Sequence, residues 1–159
     1  MVIFINGSIN SGKSTVSKII AKKLTNTVIL EIDTLRKFIH WLPLEKSIPI
    51  NLENACLLIK NFDKNNINVI VPYPISQKNY DLIMKLLKGL KTKIYFFTLD
   101  PSINIALTNR GNRKLSVWEK NRIKHHYRIG IHRPSFGEII NNSNDKPEET
   151  AKKIISKLS

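Results

Sequence analysis

Cysteine is nearly absent from this sequence: Cys56 is the one thiol among 159 residues. A single thiol excludes an internal disulfide framework and a cysteine zinc site. Within "ENACLLIK" it reads as a buried, inert helix residue. No apolar run approaches the roughly 20 residues that a membrane-crossing helix needs. The first apolar run, Val2 to Ile5, is too short for a secretory signal and has the wrong flanks. The expected compartment is therefore the cytoplasm. Internal repeats, linkers and low-complexity tracts are also missing.

Acidic residues are scarce. The chain holds 12 Asp+Glu against 26 Lys+Arg, a formal net charge of +14. Such a balance favours polyanions, nucleic acid among them. A general drift toward Lys, Asn and Ile accounts for such an excess equally well. The local distribution says more than the total. Between Ser102 and Arg133 lie Arg110, Arg113, Lys114, Lys120, Arg122, Lys124, Arg128 and Arg133, with Glu119 as the one acid.

Short apolar runs alternate with helical stripes along the chain. Val2–Asn6, Thr27–Asp33, Ile67–Tyr73, Thr92–Leu99 and Phe136–Ile140 read as strands. Between them, Val16, Ile19, Ile20 and Leu24 share one helical face, as do Leu52, Ala55, Cys56, Ile59 and Phe62. A short helix is expected from Thr34, stopped by Pro43. Further helices are expected over Leu82–Leu90, after Pro101, over Ser116–Tyr127 and from Pro147. The alternation predicts an α/β fold: one domain over residues 1–159, with a five-stranded parallel sheet and helices on both faces. Ligands of such sheets bind beyond the carboxyl ends of the strands, where Gly7, Asp33, Tyr73 and Asp100 fall.

Gly7 to Ser14, "GSINSGKS", matches G-x-x-x-x-G-K-[ST] at every fixed position. Gly7 and Gly12 let the backbone curl so that successive N–H groups, those of Asn10 and Ser11 included, point inward. With the N-terminus of the following helix they form an anion site. Lys13 is placed to reach the β- and γ-phosphates, Ser14 to offer its hydroxyl to Mg²⁺, and Thr15 to touch a phosphate nearer the nucleoside. The alternative is a chance glycine turn. An apolar strand before the motif and an amphipathic helix after it are the context that a phosphate loop requires. The GTPase motifs D-x-x-G and N-K-x-D occur nowhere in the chain, and it is small for a motor ATPase. Small kinases remain.

On "GSINSGKS", "EIDTLR" and "NRGNRK", the sequence resembles small P-loop kinases of the nucleoside-monophosphate-kinase-like fold. That group includes shikimate and gluconate kinases, chloramphenicol phosphotransferase and the bacteriophage polynucleotide 5′-hydroxyl kinases. The resemblance covers nearly the whole chain. It implies an ATP- and Mg²⁺-dependent kinase with a short lid over about residues 110–128. Asp33 stands where these families carry an acid beside the acceptor hydroxyl, and a carboxylate there accepts the hydroxyl's proton. Arg36 lies where relatives hold an anionic or polar group of the substrate. Glu31, taken to share strand parity with Asp33, joins the site or supports Mg²⁺ through water. The other reading has Asp33 as the N-cap of a helix from Thr34 and Arg36 in solvent.

The resemblance further implies that Arg110 and Arg113 clamp the transferring phosphoryl group, with Gly111 letting the lid fold. Planar, permanently charged donors suit that task. A basic surface turn is the alternative. Of the following helix, Arg122 is the residue expected to reach a phosphate, while His125 and His126 are expected at the surface. "NNSND", with Asn142, matches the place where relatives pass the adenine base. One departure stands out. Relatives carry an acid at the end of the third strand, whereas this chain has Pro72 and Tyr73. Metal support then falls on Ser14, Asp33 and Glu31, and Tyr73 either stacks on a flat substrate or packs. The apolar "FIHWLPL", with Trp41, suits a partly aromatic acceptor.

The leading expectation is thus transfer of the ATP γ-phosphate to a hydroxyl of a small molecule. The alternatives are a polynucleotide 5′-hydroxyl kinase and a nucleotide-binding, RNA-interacting or regulatory protein with little kinase activity.

Overall fold

The computed structural model describes residues 1–109 and 114–158. Strand β1 (Val2–Gly7) is followed by α1 (Lys13–Lys23), β2 (Thr27–Ile29) and the short α2 (Ile32–Leu35). A 3-10 turn over Arg36–Ile39 leads to the long α3 (Leu44–Lys64). Then come β3 (Asn68–Pro72), α4 (Gln77–Leu86), β4 (Ile94–Leu99) and α5 (Ile103–Ala106). The last elements are α6 (Val117–Arg128), β5 (Glu138–Ile140) and α7 (Pro147–Ile155).

The five strands form one parallel sheet in the order β2-β3-β1-β4-β5. Successive residues of β1 serve opposite faces, as the two-residue strand period requires. Val2 and Phe4 join Leu52, Ala55 and Ile59 of α3 and Ile83 of α4. Ile3 and Ile5 join Val16 and Ile20 of α1 and Ala151 and Ile154 of α7. Covering both faces buries every residue of β1, which is why "VIFIN" is apolar without alternation. Because β1 lies between β3 and β4, the chain winds away from it in both directions. The crevice at its carboxyl end is the topological switch point.

Several boundaries differ from the sequence reading, those near α2 and α3 the most. The second strand ends at Ile29, and the chain turns helical at Ile32 rather than at Thr34. Leu30 still donates its N–H to the Ile70 carbonyl at 2.9 Å, after which the chain leaves the sheet edge. Pro43 does not simply stop a helix: it is the N-cap of α3, and Pro49 is accommodated within that helix. α3 thereby starts eight residues ahead of Leu52, the first residue of the apolar stripe. Local capping explains other starts. The Ser102 hydroxyl caps α5, and Ser116 with Glu119 forms a capping box on α6.

Candidate phosphate-binding and acceptor site

The phosphate loop is shaped by backbone conformations that most residues avoid. Gly7 has φ of +137°, and a Cβ there would stand 2.7 Å from the Leu99 carbonyl oxygen. Gly12, at φ +99°, is the N-cap of α1. Space is not what requires glycine at 12, since an added Cβ would meet nothing closer than 3.7 Å; the dihedral is. Lys13 folds back over the loop and donates from Nζ to the Ser8 carbonyl at 2.6 Å. The first turn of α1 holds no acidic residue, so its positive end is left for an anion.

This loop forms one wall of a cleft of about 670 Å³, within the usual range for a small-molecule site. Ile9, Asn10, Gly12, Lys13, Ser14 and Thr15 line that wall. Glu31 and Asp33 come from the start of α2, Pro72 and Pro74 from the end of β3, and Pro147 from the start of α7. Early termination of β2 removes the proposed strand parity of Glu31 and Asp33. Glu31 is instead the extended N-cap residue of α2 and Asp33 lies in its first turn, and both still reach the cleft. No side-chain cap is formed at that helix, so Asp33 is not an N-cap.

Asp33 keeps an exposed side chain, yet partial desolvation in the cleft raises its carboxyl above the ordinary range; Lys13 draws it back, Glu31 pushes it up, and Arg36 draws it back again. Two cations and a second carboxylate thus lie close enough to act on Asp33. Tyr73 is only 7% exposed and belongs to the core cluster under the cleft, so its ring packs rather than forming a wall. Burial pushes its hydroxyl up to about 12, with Asp33 adding to the rise and Arg122 and Arg36 opposing it. Arg36, at the start of the 3-10 turn, and Arg122, on α6, thus lie near Tyr73, but neither is among the residues that line the cleft. Trp41 is 69% exposed and packs edge-on against His40, outside the residues that line the cleft.

Of the polar residues behind the loop, Asn6 was not legible as a site residue. Asn6, fully buried in β1, donates from Nδ2 to Thr98 Oγ1 and to the Ile131 carbonyl. Its Oδ1 accepts the Ile75 N–H at 2.7 Å, so one side chain joins β1, β4, the loop after β3 and the segment after α6. The only sequence signal is a polar residue closing an apolar strand just before Gly7. Asn10, at φ 63°, donates from Nδ2 to the carbonyls of Ala106 and Thr108, each at 2.9 Å. Asn142 is 3% exposed and donates from Nδ2 to the Ser11 carbonyl at 3.0 Å. It stands behind the loop, not on the cleft wall.

His126 corrects a surface assignment. It is 2% exposed, and its Nδ1 lies 3.4 Å from the Ser8 hydroxyl. Burial, with Arg122, Lys13 and His125 nearby, lowers its pKa to about 4 and keeps the ring neutral. α6 inserts this residue because Ile123, three positions earlier, is anchored in a cluster with Ala106 and Leu115. Arg110, Gly111 and Arg113, the proposed clamp, lie outside the described residues. No cluster of three or more His, Cys, Asp or Glu able to hold a metal occurs among the described residues. None of the described helices is long and apolar enough to cross a membrane.

No protein-family model matches this sequence, and no curated protein matches it. Solved structures do. The APS kinase of Mycobacterium tuberculosis, in complex with AMPPNP and APS, superposes with a TM-score of 0.73 at 17% identity, over 98% of this chain and 95% of that one. The tunicamycin resistance protein of Deinococcus radiodurans gives 0.71 at 18%, over 99% and 96%. Shikimate kinase of Aquifex aeolicus gives 0.61 at 17%, over 98% and 94%. Its parallel five-stranded sheet, with the phosphate loop at the switch point, gives this chain the fold of the small P-loop kinases.

Proposed function

We propose that this protein is an ATP-dependent phosphotransferase that moves the γ-phosphate of ATP to a hydroxyl of a small molecule. One observation carries the reading: Lys13 and Ser14 stand on one wall of a single cleft and Asp33 on the other. The fold likeness supports it, since the neighbours named above include kinases of two different small molecules.

In this reading the backbone of the loop and Lys13 hold the β- and γ-phosphates. Asp33 accepts the acceptor's proton while the bond from the hydroxyl oxygen to the γ-phosphorus forms and the bond to the ADP oxygen breaks. Arg36 holds a polar or anionic group of the acceptor. Arg110 and Arg113 draw charge from the phosphoryl oxygens as a lid over residues 110–128 closes. Mg²⁺ fits the donor set. It takes one or two carboxylates together with phosphate oxygens and water, and the Ser14 hydroxyl shares the cleft with Asp33 and Glu31. When bound it neutralises phosphate charge.

The test is a screen of ATP consumption over hydroxylated metabolites, antibiotics, nucleosides and 5′-hydroxyl oligonucleotides, followed by Asp33→Asn on any acceptor found. Transfer should fall by roughly a hundredfold or more with ATP binding kept. Undiminished transfer in Asp33→Asn would remove Asp33 as the base. Labelling of oligonucleotides alone would favour the polynucleotide kinase, and a salt-sensitive RNA complex without any product would favour the regulatory protein.

A further inference from the structure

Asn142 follows β5 and is held rigidly from both sides. Asp100 donates its N–H to the Ile140 carbonyl at 3.0 Å. The Asn141 carboxamide oxygen accepts from both the Ser143 N–H and the Ser143 hydroxyl, and that hydroxyl accepts the Ser102 N–H at 2.9 Å. The turn therefore presents the Asn142 side chain in a fixed place. Its Nδ2 donates to the Ser11 carbonyl, while its Oδ1, buried, has no hydrogen-bond partner among the described residues. What Asn142 supplies to the loop is a donor.

A trans peptide unit is planar, with its C=O and N–H pointing in opposite directions. The Ser11 carbonyl and the Gly12 N–H belong to one such unit. Asn142 is buried and absent from the cleft walls, whereas Gly12 lines them. A carbonyl directed at Asn142 therefore aims the Gly12 N–H at the cleft. Gly12 at φ +99° has wide freedom of rotation, so without the Asn142 bond this peptide is free to turn over.

We infer that Asn142 is a positioning residue for nucleotide binding: by holding the Ser11 carbonyl from behind, it locks the Gly12 N–H toward the phosphates. This rests on the reading of the loop as a nucleotide site. It moves Asn142 from the adenine end of the site to the support of the phosphate cradle. The predicted defect of an Asn142 variant is a loss of phosphate affinity, with recognition of the base unchanged.

Calorimetric titration of wild type and Asn142→Leu with tripolyphosphate and with MgADP, beside displacement by adenosine, separates these. Tripolyphosphate and MgADP should each bind at least tenfold more weakly to a folded Asn142→Leu, with adenosine binding unchanged. In turnover, KM for ATP should rise more than kcat falls. The wild type provides a check that is independent of variant folding. With ¹⁵N-glycine labelling and only six glycines in the chain, the Gly12 amide should move strongly downfield on addition of tripolyphosphate. Unchanged phosphate affinity in the folded variant, an equal loss for adenosine, or a Gly12 amide that stays in place while phosphate binds would each overturn the inference. If the wild type binds neither tripolyphosphate nor MgADP, the nucleotide reading itself fails and takes this inference with it.

Discussion

Asn10, at the crest of the phosphate loop, is tied to Ala106 at the end of α5: its Nδ2 donates to the Ala106 carbonyl at 2.9 Å and to that of Thr108 at the same distance. The loop is thereby joined to the segment that follows α5. Asn10 does two jobs, since it also adopts φ of 63°. Asn10→Gly keeps the conformation and loses the two bonds, a destabilisation of about 1–2 kcal/mol. Asn10→Ala loses both and should unfold about 1 kcal/mol more easily still. Denaturant unfolding of the pair separates side-chain bonding from backbone conformation; equal stabilities would show that the bonds alone matter.

Gly7→Ala should be destructive for a different reason. The new methyl would press on the Leu99 carbonyl oxygen, a backbone atom of β4, from 2.7 Å, at a dihedral that alanine rarely adopts. A loss on the order of 2–3 kcal/mol is expected, with nucleotide binding abolished. Thermal unfolding and MgADP titration measure the two effects; normal binding would mean that the strand end yields more readily than its neighbours suggest.

Lys13→Ala should leave the fold intact, because the side chain is half-exposed and its Nζ donates to a loop carbonyl, that of Ser8. Phosphoryl transfer should fall by roughly a hundredfold or more, as expected when a fixed charge opposite a developing one is removed. Steady-state ATP consumption beside a circular dichroism melt distinguishes this from unfolding.

Asp33 gives a pH signature with an unusual sign. Its folded-state pKa lies above the unfolded value, burial being the main cause. The folded protein then binds the proton more tightly, so this group costs stability once both states are ionised and ceases to do so in acid. Asp33→Asn should be more stable than wild type near neutral pH, with the difference vanishing as pH falls below the ordinary carboxylate range. Paired denaturant melts across that range are the measurement; an Asn variant less stable at neutral pH would contradict the placement of Asp33.

His126 acts in the opposite direction. In the unfolded chain it titrates near 6.5, and in the folded protein at about 4. Between those values the unfolded chain carries the extra proton, so stability is full above about pH 6.5 and declines toward pH 4. The contribution is on the order of 3 kcal/mol. Arg122, Lys13 and His125, which lie near it, all act in the same sense. His126→Leu should flatten this part of the pH–stability curve relative to wild type, and an unchanged slope would mean that the ring is hydrated.

How much was legible in the sequence follows from how local each feature is. The phosphate loop was readable because its glycines, lysine and serine act within eight consecutive residues. The sheet was readable because burial on both faces demands continuous apolar runs. Boundaries failed where apolar content no longer distinguishes elements. In "TVILEID", Leu30 and Ile32 are buried by the core beneath α2 as well as they would be by a strand, so the pattern runs on past the true end at Ile29.

The amino-acid sequence alone therefore determined the parallel α/β architecture and the phosphate loop. Only the tertiary structure decided what stands behind the loop. Asn142 meets Ser11 across 131 positions, His126 meets Ser8 across 118 and Asn10 meets Ala106 across 96. Each of these pairings has no sequence period. Hydrogen bonds between distant segments exist only after packing has brought the carboxyl ends of β1, β4 and β5 together, and the polar residues there take their meaning from that encounter.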